Sequence, residues 1–241
     1  MRWPSPFPEF PRARWSVWLR RRPRAQLVLC AILALLVGLA VPLPAHFSPK
    51  PPPADQQALA TALNQIRTIE FRPRILGYSR QRFGQGWGSH ATSDGRYCTT
   101  RQLLVQAAFS PDASTDSPGP KECGIREQRG VGPKDPYTGE EMSANHVDVD
   151  HIVPLSAAWD LGAYGWDEPK RLRFANDMRW NLVVVDSTVN RDKSDSTLSD
   201  WMPPAASARC PYAARFVAVV ARYGLSLPES DAKVARQACG L

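Results

Sequence analysis

Asp150 and His151 stand side by side, and Asn181, Asn190 and Lys193 follow at wider spacing. Hydrolysis of a phosphodiester needs an activated water and a cation to neutralise developing charge. A histidine takes a proton from water near neutral pH when something orients its imidazole. Asp150 offers a hard oxygen ligand and Asn190 a neutral carbonyl oxygen, enough for a Mg²⁺ that keeps several waters. Asn181 is expected to fix the imidazole or the backbone around it. Lys193, one helical turn beyond Asn190, is expected to meet a phosphate. An Asp-His pair alone is most often structural; the five residues at these spacings carry the reading. Asp148 and His146 flank the pair as candidates for supporting contacts.

The elements that must position these residues are legible on either side of them. Val147, Val149, Ile152 and Val153 are apolar and β-branched and alternate with Asp148 and Asp150, which predicts a strand that Pro154 ends. Neighbouring strand residues point to opposite faces, so Asp150 and His151 suit separate tasks. Leu182–Val185 reads as a second strand. Composition turns helical near Asn190, with Ser187 or Thr188 as the expected N-cap.

The first fifty residues have a different purpose. Arg20, Arg21, Arg22 and Arg24 precede an unbroken apolar run from Ala25 to Val41. That pattern predicts a basic cytoplasmic terminus over 1–24, a signal peptide or membrane anchor over 25–45 and a Pro-rich linker over 46–54. Everything after it is expected outside the cytoplasm, secreted if the segment is cut and membrane-held if it is not. Residues 1–45 hold seven arginines against Glu9, leaving 23 basic and 22 acidic residues for the rest. The pI near 9.4 therefore reports targeting and not nucleic-acid binding. Phosphate contacts must come from local patches. Arg74 and Arg80, within the Arg67–Arg82 cluster, are candidates, as are Arg101 and Arg191.

Outside the apolar run the cysteines are Cys98, Cys123, Cys210 and Cys239, with no C-x-x-C pair. An even number in an exported domain points to two disulfides, and no structural zinc is expected. Three pairings are open; local closure favours Cys98 with Cys123 and Cys210 with Cys239. Each would close a loop worth roughly 3 kcal/mol in the chain-entropy model.

Further helices are expected over Asp55–Ile69, Thr99–Phe109 (with Leu103, Leu104, Ala107 and Ala108 inward), Leu155–Leu161, Pro169–Met178, Tyr212–Tyr223 and Glu229–Ala238. Phe71–Asp94 reads as irregular chain pinned by Tyr78, Phe83 and Trp87. Ser110–Lys121 reads as a surface loop, and DPYTG as a turn between two short strands. Trp159, Trp166 and Trp180 are expected to pack in the core.

The same residues carry a resemblance. Asp150-His151-Ile152-Val153-Pro154, Asn181-Leu182, Asn190 and Lys193 resemble the motifs of the HNH (ββα-metal) nucleases. DVDHIVP and the N-R-x-K-S-D run are similar to the HNH domain of CRISPR effector nucleases. Cys98-Thr99-Thr100-Arg101, DPYTG, Phe174–Asp177 and Trp201–Pro204 resemble exported bacterial proteins of the GmrSD C-terminal/DUF1524 type. The likeness covers about residues 78–239. It implies His151 as general base, Asp150 and Asn190 as ligands of one divalent cation (Mg²⁺, or Mn²⁺ in its place), Asn181 as an orienting residue and Lys193 as a phosphate contact. The last motif position holds Asn where many members hold His. The implied fold is α+β: a ββα-metal core at about 135–203, embedded in a mostly helical, disulfide-stapled single domain over 55–241. The implied activity is exported, metal-dependent endonucleolytic cleavage of DNA, with RNA open as a substrate. No helix-turn-helix or zinc finger accompanies it to read sequence. The rival reading is a non-catalytic cell-surface module that binds nucleic acid or cell wall on the same fold.

Overall fold

Leu59, Ala62 and Leu63 recur at helical spacing and are buried on one face of α1, Pro53–Leu63. The computed structural model describes residues 52–92, 95–109, 123 and 132–241. The targeting segment, the 110–121 loop and most of 122–131 lie outside the described residues. α1 is shorter than its apolar periodicity suggested. Thr68–Ile69 leaves the helix as β1 and pairs in parallel with β6, Leu227–Pro228. Ile69 thus still reaches the core, but from a strand.

The chain next runs without regular structure through a 3₁₀ turn at Arg80–Phe83 to an antiparallel pair, β2 (Ser89–Ala91) and β3 (Tyr97–Thr99). α2, Thr100–Phe109, follows directly. Its inward face is Val105 and Phe109, with Leu104 packed beside them, and Ala107 is exposed. The DPYTG segment is a turn, closed by a single bridge between Lys134 and Glu141 where two strands were expected.

β4, Val147–His151, pairs antiparallel with β5, Leu182–Asp186, so that Asp150 faces Val183 and His151 faces Leu182. Between them lie α3 (Leu155–Asp160) and α4 (Glu168–Ala175). β5 runs straight into α5, Ser187–Lys193, which packs on both strands. Its N-cap is Asp186, one residue before the expected Ser187 or Thr188. The Asp186 carboxylate accepts from the amides of Thr188 (2.7 Å) and Val189 (3.4 Å). A carboxylate at this position also favours the positive end of the helix.

α6, Ala206–Tyr223, begins six residues earlier than expected and runs through the core, where Phe216, Val217, Val219 and Val220 are fully buried. Gly224 ends it at φ 67°, the left-handed cap that glycine adopts without a Cβ clash. α7, Glu229–Cys239, packs back on α6. The main core also takes Phe174, Phe83 and Trp159, as expected for the aromatics, whereas Trp166 and Trp180 are only partly buried. A second apolar cluster joins Val147 and Val149 of β4 to Val105 and Phe109 of α2. Mixed helices and small sheets make the fold α+β. Cys98 and Cys123 lie at disulfide distance, with Cα atoms 5.4 Å apart, as do Cys210 and Cys239 at 4.7 Å. Among the described residues no helix is long and apolar enough to cross a membrane.

Candidate active site

The alternation of β4 sends Val147 and Val149 into the second cluster and turns Asp148 and Asp150 toward α5. His151, the last residue of the strand, is 7% exposed. Its Nε2 lies 2.9 Å from the carbonyl oxygen of Ala175, at the end of α4. A carbonyl only accepts, so Nε2 carries the proton and Nδ1 keeps its lone pair. Burial pushes the imidazole down from its usual range to about 3, so the ring is neutral at physiological pH. Trp87 stacks on it, with ring centroids 5.5 Å apart and planes 7° from parallel.

Asn181 is fully buried and ties the backbone that follows the histidine to the end of α4. Its Oδ1 accepts from Val153 N at 2.9 Å, and its Nδ2 donates to Phe174 O at 3.3 Å. Its own carbonyl accepts from Ile152 N at 2.8 Å. Of the two options open in the sequence, Asn181 therefore holds backbone and does not touch the imidazole.

Asp150 and Lys193 form a pair that the sequence placed differently. Lys193 is fully buried, and its Nζ donates to Asp150 Oδ1 at 3.0 Å and to His151 O at 2.9 Å. An ammonium sealed in this way does not reach a phosphate in the cleft, which departs from the expected contact. The other Asp150 oxygen accepts from the Tyr137 hydroxyl at 2.7 Å. Burial pushes Asp150 up and Lys193 down, and each partner's charge pulls the other back toward ionisation. Tyr137 is raised well above its ordinary value by burial and then by Asp150, so it remains a donor. The DPYTG turn places it. Asp135 accepts from Tyr137 N and Thr138 N and, at 2.5 Å, from Asp186 N at the end of β5.

Asn190, on α5, donates from Nδ2 to Asp148 Oδ2 at 3.3 Å, leaving its Oδ1 free to serve as a ligand. Asp148, Asp150, Asn190 and His151 line one cleft of about 440 Å³ with Arg80 and Arg101. Asp195 also lines the cleft but is held by Arg72 and Ser156; the other three hard oxygen-bearing side chains, beside open space, fit a Mg²⁺-like cation that keeps most of its water. Asp150 can contribute only the lone pairs that Tyr137 and Lys193 leave. Among the described residues no three His, Cys, Asp or Glu side chains gather as a metal cluster, so any cation rests on this mixed set.

Tyr78, Arg80, Trp87 and Arg101, from the segment before β4, build the opposite wall. Arg101 donates from Nη2 to Val147 O at 3.0 Å and has no carboxylate partner among the described residues. Arg80 is exposed and makes no hydrogen bond or ion pair among them. Arg72, by contrast, is consumed structurally. It meets Asp160 of α3 at 2.9 Å and donates to the carbonyl of Asp195 at 2.8 Å. Arg74 lies 3.5 Å from Asp195 at the rim of an adjoining apolar cavity and does not itself line the His151 cleft. His146 and Arg191 are exposed and line neither cavity that touches His151; Arg191 only reaches Thr188 Oγ1 at 3.3 Å.

Four contributors escaped the sequence reading: Trp87, Tyr137, Ala175 and the full role of Asn176. Asn176 Oδ1 accepts from Gly88 N at 2.6 Å and Thr100 Oγ1 at 2.9 Å, tying the opposite wall to the end of α4. The available signals were the F-A-N-D run, an aromatic between glycines at 86–88 and the tyrosine of the DPYTG turn.

A family model for the C-terminal domain of GmrSD restriction endonucleases matches residues 122–232. An uncharacterized secreted protein of Arthroderma benhamiae is 30% identical over 204 residues, 83% of this chain and 92% of the relative. No solved structure matches the chain.

Proposed function

The chain belongs to the family of GmrSD restriction endonuclease C-terminal domains, and from that premise we propose that it is an exported HNH-type endonuclease hydrolysing phosphodiester bonds of DNA with one divalent cation. The observation that carries this is the tautomer of His151. Its Nε2–H is committed to Ala175, so the Nδ1 lone pair is held ready beside three oxygen donors and two unpaired arginines.

Asp148, Asp150 and Asn190 would hold the cation, with Asp148 and Asn190 less encumbered than Asp150. Once bound it would supply charge neutralisation at the phosphate and the leaving oxygen. Arg80 and Arg101 neutralise and orient the phosphodiester from the opposite wall. His151 takes a proton from the attacking water at Nδ1. An anionic phosphate beside the ring raises its basicity from the depressed value of the free protein, which suits a base used only when substrate is present. Asn181 and the Ala175 carbonyl keep the imidazole in register. Lys193 and Tyr137 hold the Asp150 carboxylate in one orientation. Export is supported by the targeting pattern of the first 45 residues, by the relative described as secreted and by two disulfides suited to an oxidising compartment. The strand–strand–helix order of β4, β5 and α5 is the order expected of an HNH core.

The full-length protein should nick plasmid DNA with Mg²⁺ or Mn²⁺, lose that activity on chelation, and lose about 10²–10⁴-fold in rate as His151→Ala. Protein that stays inert on DNA and RNA with every divalent metal tried would overturn the reading.

A further inference from the structure

We propose that the cavity of about 260 Å³ adjoining His151 is a subsite for one unpaired nucleobase of the strand being cut, making single-stranded or locally unpaired nucleic acid the preferred substrate. The proposal rests on the nuclease reading above and specifies its substrate.

This cavity lies on the Phe83–Trp87 side of the histidine and shares His151, Arg80, Trp87 and Leu155 with the cleft of the oxygen donors. A base in it would therefore lie within a few bonds' reach of a phosphate held in that cleft. Its walls are flat or apolar: Trp87, the buried Phe83 and Leu155. Trp87, one face of which lies against His151, is the aromatic surface left for a base, and stacking holds any base because every base has a π-face. Its polar rim is Arg80, Gln81 and Gln85, none of which makes a side-chain hydrogen bond among the described residues. Two carboxamides carry both donors and acceptors, which complement the edge of a base. Gly84 and Gly86, at φ 116° and 120°, take backbone conformations that side-chain-bearing residues avoid, and so bend the loop around the space. A paired base cannot enter such a recess without leaving its stack, and the cost is least for a base already unpaired.

The test uses the full-length protein with Mn²⁺ and three oligonucleotides: a single strand, the same strand in a perfect duplex, and the strand with an abasic nucleotide at the cleaved step. The single strand should be cut about tenfold faster than either other substrate, and Gln81→Ala/Gln85→Ala should narrow that gap without lowering the duplex rate. Equal rates on all three overturn the subsite while leaving the nuclease intact. Inertness on all three overturns the nuclease reading instead, and binding then decides the subsite. In His151→Ala, the Trp87 signal, taken as the difference from His151→Ala/Trp87→Phe, should be quenched by the intact single strand and much less by the abasic one. Equal quenching by both strands, or by duplex, overturns the proposal.

Discussion

The two walls of the cleft are built on different physical terms. In the β4–β5–α5 wall the polar groups are buried and answered. Asp150, Lys193, Asn181 and Asp135 are each at most 6% exposed and each has at least two partners. The other wall is anchored by the buried Phe83 and by Asn176 to Gly88, Arg72 to Asp160 and Arg101 to Val147, yet it leaves Arg80, Gln81 and Gln85 open to solvent. A buried, fully bonded network fixes geometry because each unmade bond costs so much. Exposed side chains on a short tether fix little and can adapt to a ligand. The first arrangement suits positioning of reacting groups, and the second suits recognition.

The largest break in that contrast should come from Lys193→Met, which strands a buried carboxylate. We expect about 3–5 kcal/mol lost in urea unfolding, with a smaller loss in a Lys193→Met/Asp150→Asn double variant. If Lys193→Met unfolds like the wild type, the buried network is not what holds this wall. Asn176→Ala removes the shared anchor of both walls. It should cost about 1–3 kcal/mol and reduce cleavage while hardly changing the affinity for metal in a titration.

A pH series sharpens the same contrast through His151. Its folded-state value of about 3 lies below the ordinary 6.5, so between those limits the unfolded chain binds more protons. This contribution to stability is complete above pH 6.5 and is lost progressively toward pH 3, at up to about 1.4 kcal/mol per pH unit. Denaturant midpoints should fall through that window, and His151→Phe should flatten the slope. The smallest effect belongs to the open wall. Arg80→Ala should change stability by under about 0.5 kcal/mol yet raise KM for nucleic acid, more so at low salt. A large stability loss there would mean that Arg80 braces the fold.

The histidine, the asparagines and the strands that carry them could be read directly, since β-branched alternation and motif spacing are local properties of the chain. β4, β5 and α5 fall within a residue or two of expectation for that reason. Lys193 shows the limit. Its helical turn was legible, but whether an ammonium at that position faces phosphate or a buried carboxylate depends on what covers it. Lys193 is sealed against Asp150, whose other oxygen is taken by Tyr137, brought in by a turn whose Asp135 is bonded to the far end of β5. Arg72 and Arg80 are similar in sequence context, yet Asp160 of α3 claims one and leaves the other open.

The sequence by itself determined the candidate residues of the site, the α+β elements and the pattern of a targeting segment, all of which follow from residue type and short-range spacing. Only the tertiary structure decided the tautomer of His151, the partner of Lys193 and the composition of the second wall. Each of these depends on a contact between segments far apart in the chain: Ala175 with His151, Tyr137 and Lys193 with Asp150, and Trp87 with His151. Local periodicity carries no information about such contacts, because they are set by how the elements pack.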